Sequence, residues 1–324
     1  MISNFFEIFL LSIVQGISEF LPISSAAHLI LVSDIYEFKN QSLLIDISLH
    51  LGSLLAILFY FRKDIFDFNK NLNLFYKIAI STMPLVVVGY FLYSTEIIYQ
   101  LRNIQVIAWS TLFFGILIYI ADKNIFLKKI ETDFNIKSAL IIGFFQVIAL
   151  IPGTSRAGIT ITAGRILGFN RVDSTKISFY LSIPALIGAS ALGIKDLFKE
   201  NVEFNFLVFI GIILSFFFSL ITIKFFLKFI KTFSFNVFVV YRIFLALILL
   251  VIVNDNLIII FIIVYMLLTY LVFRLANKYK RSPKKWAIWA LFTNPLLVLI
   301  LLVIFGNTKP NNSNEDWRKD SRFK

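Results

Sequence analysis

The chain has 324 residues, 59% hydrophobic and 15% charged, with 31 Lys and Arg against 19 Asp and Glu. Soluble globular domains carry about 25% charged residues, so a molecule whose whole surface faces water is excluded. With no cysteine there is no disulfide, thiolate metal site or thiol catalysis.

In chain order, residues 5–33 are apolar and free of Lys and Arg, apart from one polar string, Gln15-Gly-Ile-Ser-Glu-Phe-Leu-Pro-Ile-Ser-Ser-Ala-Ala-His-Leu29. No basic n-region or cleavage site accompanies this stretch, so no cleaved signal is expected. Apolar runs follow at 43–61, 74–94, 104–121, 177–194, 204–223, 236–253, 257–273 and 286–305. Each approaches the ~20 residues that cross a bilayer core of about 30 Å as a helix. None alternates with the period of a barrel strand, so the expected class is all-α and polytopic. Basic clusters (Arg62/Lys63/Lys70/Lys77, Lys123/Lys128/Lys129/Lys137, Lys224/Lys228/Lys231 and 274–285) separate these runs. The positive-inside rule accounts for the net charge of +12, and no nucleic-acid partner is expected.

With those clusters placed in the cytoplasm, 138–169 begins and ends on the same side, as a re-entrant pair of half-helices would. Its centre is the second polar string, Ile151-Pro-Gly-Thr-Ser-Arg-Ala-Gly-Ile-Thr160. Residues 5–33 read as a second re-entrant pair entering from outside. Pro22-Ile-Ser-Ser25 aligns on Pro152-Gly-Thr-Ser155 without a gap, and each pair precedes three spans. The expectation is an inverted-topology repeat, copy one about 1–121 and copy two about 138–254, with its broken helices near the midplane. Residues 255–306 add two spans, and the polar stretch 307–324 has a disordered composition.

An ionisable group at membrane depth is costly, so it faces a partner or a cavity. Gln15 and Glu19, four apart, share a helix face. Pro22 ends that helix, Ser24 and Ser25 start a new turn, and His28 returns within reach. An acid, hydroxyls and an imidazole are thereby gathered for acid–base, nucleophilic or metal chemistry. Gly153 to Gly158 opens a half-helix whose backbone N–H groups suit an anion. Arg156 adds a bidentate phosphate clamp, and Thr154, Ser155 and Thr160 add hydroxyls. Asp46 and His50 begin span 43–61 and could line the site's mouth or be merely solvated. Arg242, six residues into span 236–253, reads as a cap or an interface-seeking side chain, and Ser178, Ser182 and Ser190 as helix packing. Two histidines cannot build a multi-His metal centre, but a hard divalent cation bridging Glu19 and phosphates is compatible.

These strings, with Asp46–Ser53, Phe179–Pro184 and Tyr241-Arg242, resemble the undecaprenyl-diphosphate phosphatase family of the bacitracin-resistance type over about residues 4–254. The resemblance implies a multi-pass enzyme of the bacterial inner membrane, with its site on the extracytoplasmic side. It implies hydrolysis of undecaprenyl diphosphate, which recycles the lipid carrier for peptidoglycan synthesis and confers antibiotic resistance. By match, Glu19, Ser25, His28 and Arg156 are its catalytic residues, and Ser155 and Thr160 with Arg156 grip pyrophosphate; Ser24, Gly153 and Thr154 are expected beside them at the substrate. Glu19 and Gln15 would hold Mg²⁺ or Ca²⁺, and a homodimer is compatible with the sequence, which does not fix the oligomeric state. Ala27 and Ala157 depart from the family's glycine and serine, and Gln15 leaves one carboxylate where two can stand. The rival reading is a flippase or carrier for a polyprenyl phosphate or another anion. Transport needs only the anion clamp, and the embedded Glu19 and His28 favour hydrolysis.

Overall fold

The computed structural model describes residues 2–36, 38, 43–123, 126–200, 206–254, 258–279 and 281–306. The polar stretch 307–324 lies outside them. The described residues are helical, with no named strand and one isolated bridge between Lys128 and Phe169. They form two compact units, Met1–Asp255 and Asn256–Lys324.

In the first unit the helices are α1 (Ile2–Ser18), α2 (Ser25–Tyr36), α3 (Leu43–Tyr60), α4 (Arg62–Phe66), α5 (Phe68–Ser94), α6 (Ile97–Gln100), α7 (Ile104–Ala121), α8 (Ile130–Asp133), α9 (Ile136–Val147), α10 (Arg156–Ile166), α11 (Arg171–Glu200), α12 (Phe206–Phe229) and α13 (Asn236–Val253). Five are long and apolar enough to cross a membrane: the 71–94 part of α5, α7, the 171–194 part of α11, α12 and α13. Helix α12 shows how such a helix divides its faces. Phe209, Ile213, Phe217 and Ile221, each four apart, are between 54% and 62% exposed. The opposite side carries Gly211, Ser215 and Ser219, packed on α1 and α3. Small residues let backbones approach where lipid supplies no hydrophobic drive between helices. A Cβ on Gly52 would lie 2.4 Å from Ile212 O, and one on Gly16 would lie 2.5 Å from Phe218 Cβ.

Two short-helix pairs interrupt this pattern. Helices α1 and α2, of 17 and 12 residues, flank a break at 19–24. Helix α9 with its 3₁₀ extension (Ile148–Leu150), and the 11-residue α10, flank a break at 151–155. Pro22 and Pro152 sit in these breaks, where a missing N–H costs no helical hydrogen bond. Asn103, Asn135 and Asn170 turn a side-chain oxygen to the N–H three residues on, so that the chain re-enters helix at set places. Asp122, almost fully buried at the end of α7, pairs with Arg165 of α10 at 3.0 Å and Arg171 of α11 at 2.8 Å. Arg165 is thus a charge held inside the protein by its counter-ion.

The second unit contains α14 (Ile258–Lys278), α15 (Pro283–Phe292) and α16 (Pro295–Gly306). The run 286–305, expected as one span, is broken at Thr293-Asn294. There Asn294 Oδ1 accepts from Leu296 N at 2.9 Å, and Pro295 opens the next helix. At ten and twelve residues, neither α15 nor α16 alone has the length of a span.

Candidate active site

The two breaks have one local design. Ser24 (φ 76°) immediately precedes α2, and Ser155 (φ 68°) immediately precedes α10. Left-handed serine is strained by about 1–3 kcal/mol, so its surroundings must hold it. Ser155 caps α10 by accepting from Gly158 N at 3.1 Å. Gly153 (φ 88°) lies so close to α7 that a Cβ would fall 2.3 Å from Ser110 Oγ and 2.5 Å from Ile107 O. Ser110 Oγ donates to Pro152 O, and Thr111 Oγ1 to Gly153 O at 3.3 Å.

Between the breaks, groups distant in sequence meet. Arg156 Nη2 donates to Glu19 Oε1 at 2.6 Å, and Arg156 Nη1 to Ser178 O at 3.2 Å. Glu19 Oε2 accepts from Ser25 Oγ at 2.7 Å and from Gln15 Nε2 at 3.1 Å. His50 Nε2 stands 4.0 Å from the same oxygen. Its Nδ1 is held by Asp46 O at 2.7 Å, which aims the ring inward rather than leaving it solvated. Glu19 is 8% exposed and Ser25 half-buried, so the carboxylate is sheltered and the hydroxyl beside it can be reached. Behind Gln15 a hydroxyl relay runs through Ser53 (3.4 Å) to Ser219 (2.9 Å) and Ser215 (3.2 Å).

His28 does not join that group directly. Its Nδ1 meets Ser24 O at 2.6 Å, its Nε2 meets the Tyr241 hydroxyl, and the two rings stack with centroids 5.5 Å apart. The imidazole nearest Glu19 is therefore His50. Thr160 Oγ1 donates to Arg156 O at 2.8 Å and pairs with the Ser178 hydroxyl at 2.7 Å, so this hydroxyl ties α10 to α11. Thr154 is fully buried, and its hydroxyl has no partner among the described residues. Ser24 is buried, and the hydroxyl paired with the carboxylate is that of Ser25.

Arg242 corrects the sequence reading. It neither caps nor reaches an interface: it is 0% exposed, with Nε on Thr111 O (3.2 Å), Nη1 on Pro22 O (3.4 Å) and Nη2 on Gly153 O (2.9 Å). One guanidinium thus fastens both breaks. Ser24 and Ser155 are alike in their positive φ and in each standing two residues after a carbonyl that Arg242 holds. Tyr241 and Arg242 were outside the expected site, although a permanent cation well inside a span was the signal that could have found them.

For a divalent cation the chain offers the Glu19 carboxylate and Gln15 Oε1, a buried amide oxygen with no partner among the described residues. No group of three or more His, Asp or Glu converges among those residues. This donor set fits a hard cation that takes most of its oxygens from phosphates and water.

A family model described as bacitracin resistance protein BacA matches residues 8–248. The undecaprenyl-diphosphatase of Pelagibacter ubique (strain HTCC1062) is 56% identical over 256 residues, 79% of this chain and 100% of that protein. The undecaprenyl-diphosphatase of Aliivibrio salmonicida (strain LFI1238) is 41% identical over 75% of this chain and 96% of its own length. That of Alcanivorax borkumensis (strain ATCC 700651 / DSM 11573 / NCIMB 13689 / SK2) is 40% identical over 75% and 97%.

Proposed function

The chain belongs to the bacitracin resistance protein BacA family, and from that premise we propose that it hydrolyses undecaprenyl diphosphate to undecaprenyl phosphate and phosphate. The observation that carries this reading is the cluster around Glu19, a base hydrogen-bonded to a phosphate clamp, Arg156, through one oxygen and to a nucleophile, Ser25, through the other. A carrier needs no hydroxyl paired with a carboxylate, and the relatives' name favours the hydrolase.

Substrate phosphates take the guanidinium of Arg156, which loosens its hold on Glu19 Oε1. The freed carboxylate accepts the proton of Ser25 Oγ as that oxygen attacks the terminal phosphorus. The bridging P–O bond breaks, and undecaprenyl phosphate leaves with its electron pair. Glu19 passes that proton to the departing phosphate; water then attacks the phosphoserine with Glu19 as base, the P–Oγ bond breaks, and the proton moves from Glu19 to Ser25 Oγ as inorganic phosphate leaves. Arg156 and the N-terminal amides of α10 stabilise the charge on the equatorial oxygens. His28, held by Tyr241 and Ser24 O, and His50 supply or receive protons at the rim. Mg²⁺ or Ca²⁺, held by Glu19 and Gln15 Oε1, would neutralise the diphosphate when bound.

The setting is the bacterial inner membrane, with the short-helix pairs re-entrant, the two copies inverted and the site open to the extracytoplasmic side. The enzyme acts in lipid-carrier recycling and bacitracin resistance. The test is phosphate release from undecaprenyl diphosphate by the purified chain in detergent, with and without Mg²⁺ or Ca²⁺. Metal-dependent release that Arg156→Ala and Glu19→Gln both abolish supports the reading. Arg156-dependent lipid binding without release by a folded preparation overturns it in favour of a carrier.

A further inference from the structure

The second unit lies beyond the family match, which ends at residue 248. Six of the twelve residues from Arg274 to Lys285 are basic: Arg274, Lys278, Lys280, Arg281, Lys284 and Lys285. From Asn256 to Gly306 there is no Asp or Glu, and the last 18 residues carry five basic side chains against three acidic ones. Nothing in the unit's own sequence balances this charge.

The geometry spreads it over one short surface. Arg274 and Lys278, one turn apart at the end of α14, are exposed, as are Lys284 and Lys285 in the first turn of α15. The bend between the helices is set by Tyr279 N on Leu275 O (3.0 Å) and Arg281 N on Ala276 O (2.9 Å). Lysines in a first turn oppose the helix dipole, so they are not there to stabilise α15. Helix α15 also carries the pair Trp286 and Trp289, centroids 6.1 Å apart, and it exposes Ile288, Trp289, Leu291 and Phe292 at 56%, 58%, 47% and 83%. A short helix with lysines at one end and exposed aromatic and aliphatic side chains along the rest has the make-up of an element lying in a bilayer interface. Helix α14, at 21 residues, has the length of a crossing and delivers the basic bend to that level.

We infer that the α14–α15 bend is a binding surface for anionic phospholipid headgroups, with Arg274, Lys278, Lys284 and Lys285 on the phosphates and Trp286 and Trp289 at the headgroup level. Clusters of this size beside a membrane-length helix attract anionic lipid severalfold per charge, and salt screens the attraction.

The test uses the full chain with Trp109 and Trp317 replaced by Phe, so that fluorescence reports Trp286 and Trp289, the remaining two of its four tryptophans. It is reconstituted in phosphatidylcholine bilayers containing phosphatidylglycerol, with bromine labels on one lipid or the other. Brominated phosphatidylglycerol should quench severalfold more than brominated phosphatidylcholine at equal mole fraction. That preference should shrink toward one in about 1 M salt, and after joint substitution of Arg274, Lys278, Lys284 and Lys285 by Gln. Equal quenching by both labels overturns the proposal, as does a preference that survives the substitutions. If the fourfold variant fails to fold, the salt titration on the unsubstituted charges decides.

Discussion

At the scale of single residues, the site rests on one carboxylate doing two jobs. Glu19 holds Arg156 with one oxygen and Ser25 with the other, so its substitutions separate charge from shape. Glu19→Gln keeps the size but can neither take a proton nor balance Arg156, so phosphate release should fall by about 10³-fold or more and the thermal midpoint should drop as well. Arg156→Lys should recover little of what Arg156→Ala loses, because an ammonium cannot grip two oxygens at once. Single-turnover phosphate release is the measurement for both. Ser25→Ala should abolish a phosphorylated intermediate that acid quenching traps in the unaltered chain, whereas Ser24→Ala should leave it in place.

At the scale of elements, the site is only as rigid as the contacts that fasten its two breaks. Arg242, fully buried, donates to three carbonyls from three segments. Arg242→Met should therefore cost about 1–3 kcal/mol, because Pro22 O loses its donor while Gly153 O keeps Thr111 Oγ1. Thermal unfolding in detergent measures the loss, and phosphate release should fall with it because Ser24 and Ser155 lose their anchor. Asp122→Asn leaves Arg165 buried without its counter-ion and should destabilise by about 3–5 kcal/mol. Gly52→Ala drives a methyl into α12 and should cost about 1–3 kcal/mol by the same assay.

At the scale of the whole molecule, all the site residues lie in the first unit. The family match ends within it at residue 248, and the Pelagibacter relative is matched in full by 79% of this chain. A chain ending at Asn254 should therefore retain phosphate release within a few-fold of the full chain, measured in detergent. Much of this is legible in the amino-acid sequence. The helical class followed from run lengths and charge, because a bilayer punishes any unpaired backbone group and leaves few options. The two strings were conspicuous because Glu19, His28 and Arg156 are expensive where they lie. Local sequence also placed the breaks, since Pro22 and Pro152 cannot continue a helix. It could not say which imidazole faces Glu19, that Thr160 turns to α11, that 286–305 is two helices, or that Arg242 ties one break to the other. Those are contacts across tens to hundreds of residues. They depend on how closely small residues let helices approach, and on which carbonyls a buried guanidinium can reach. The sequence by itself determined which groups had to be sheltered; only the packing decided with whom.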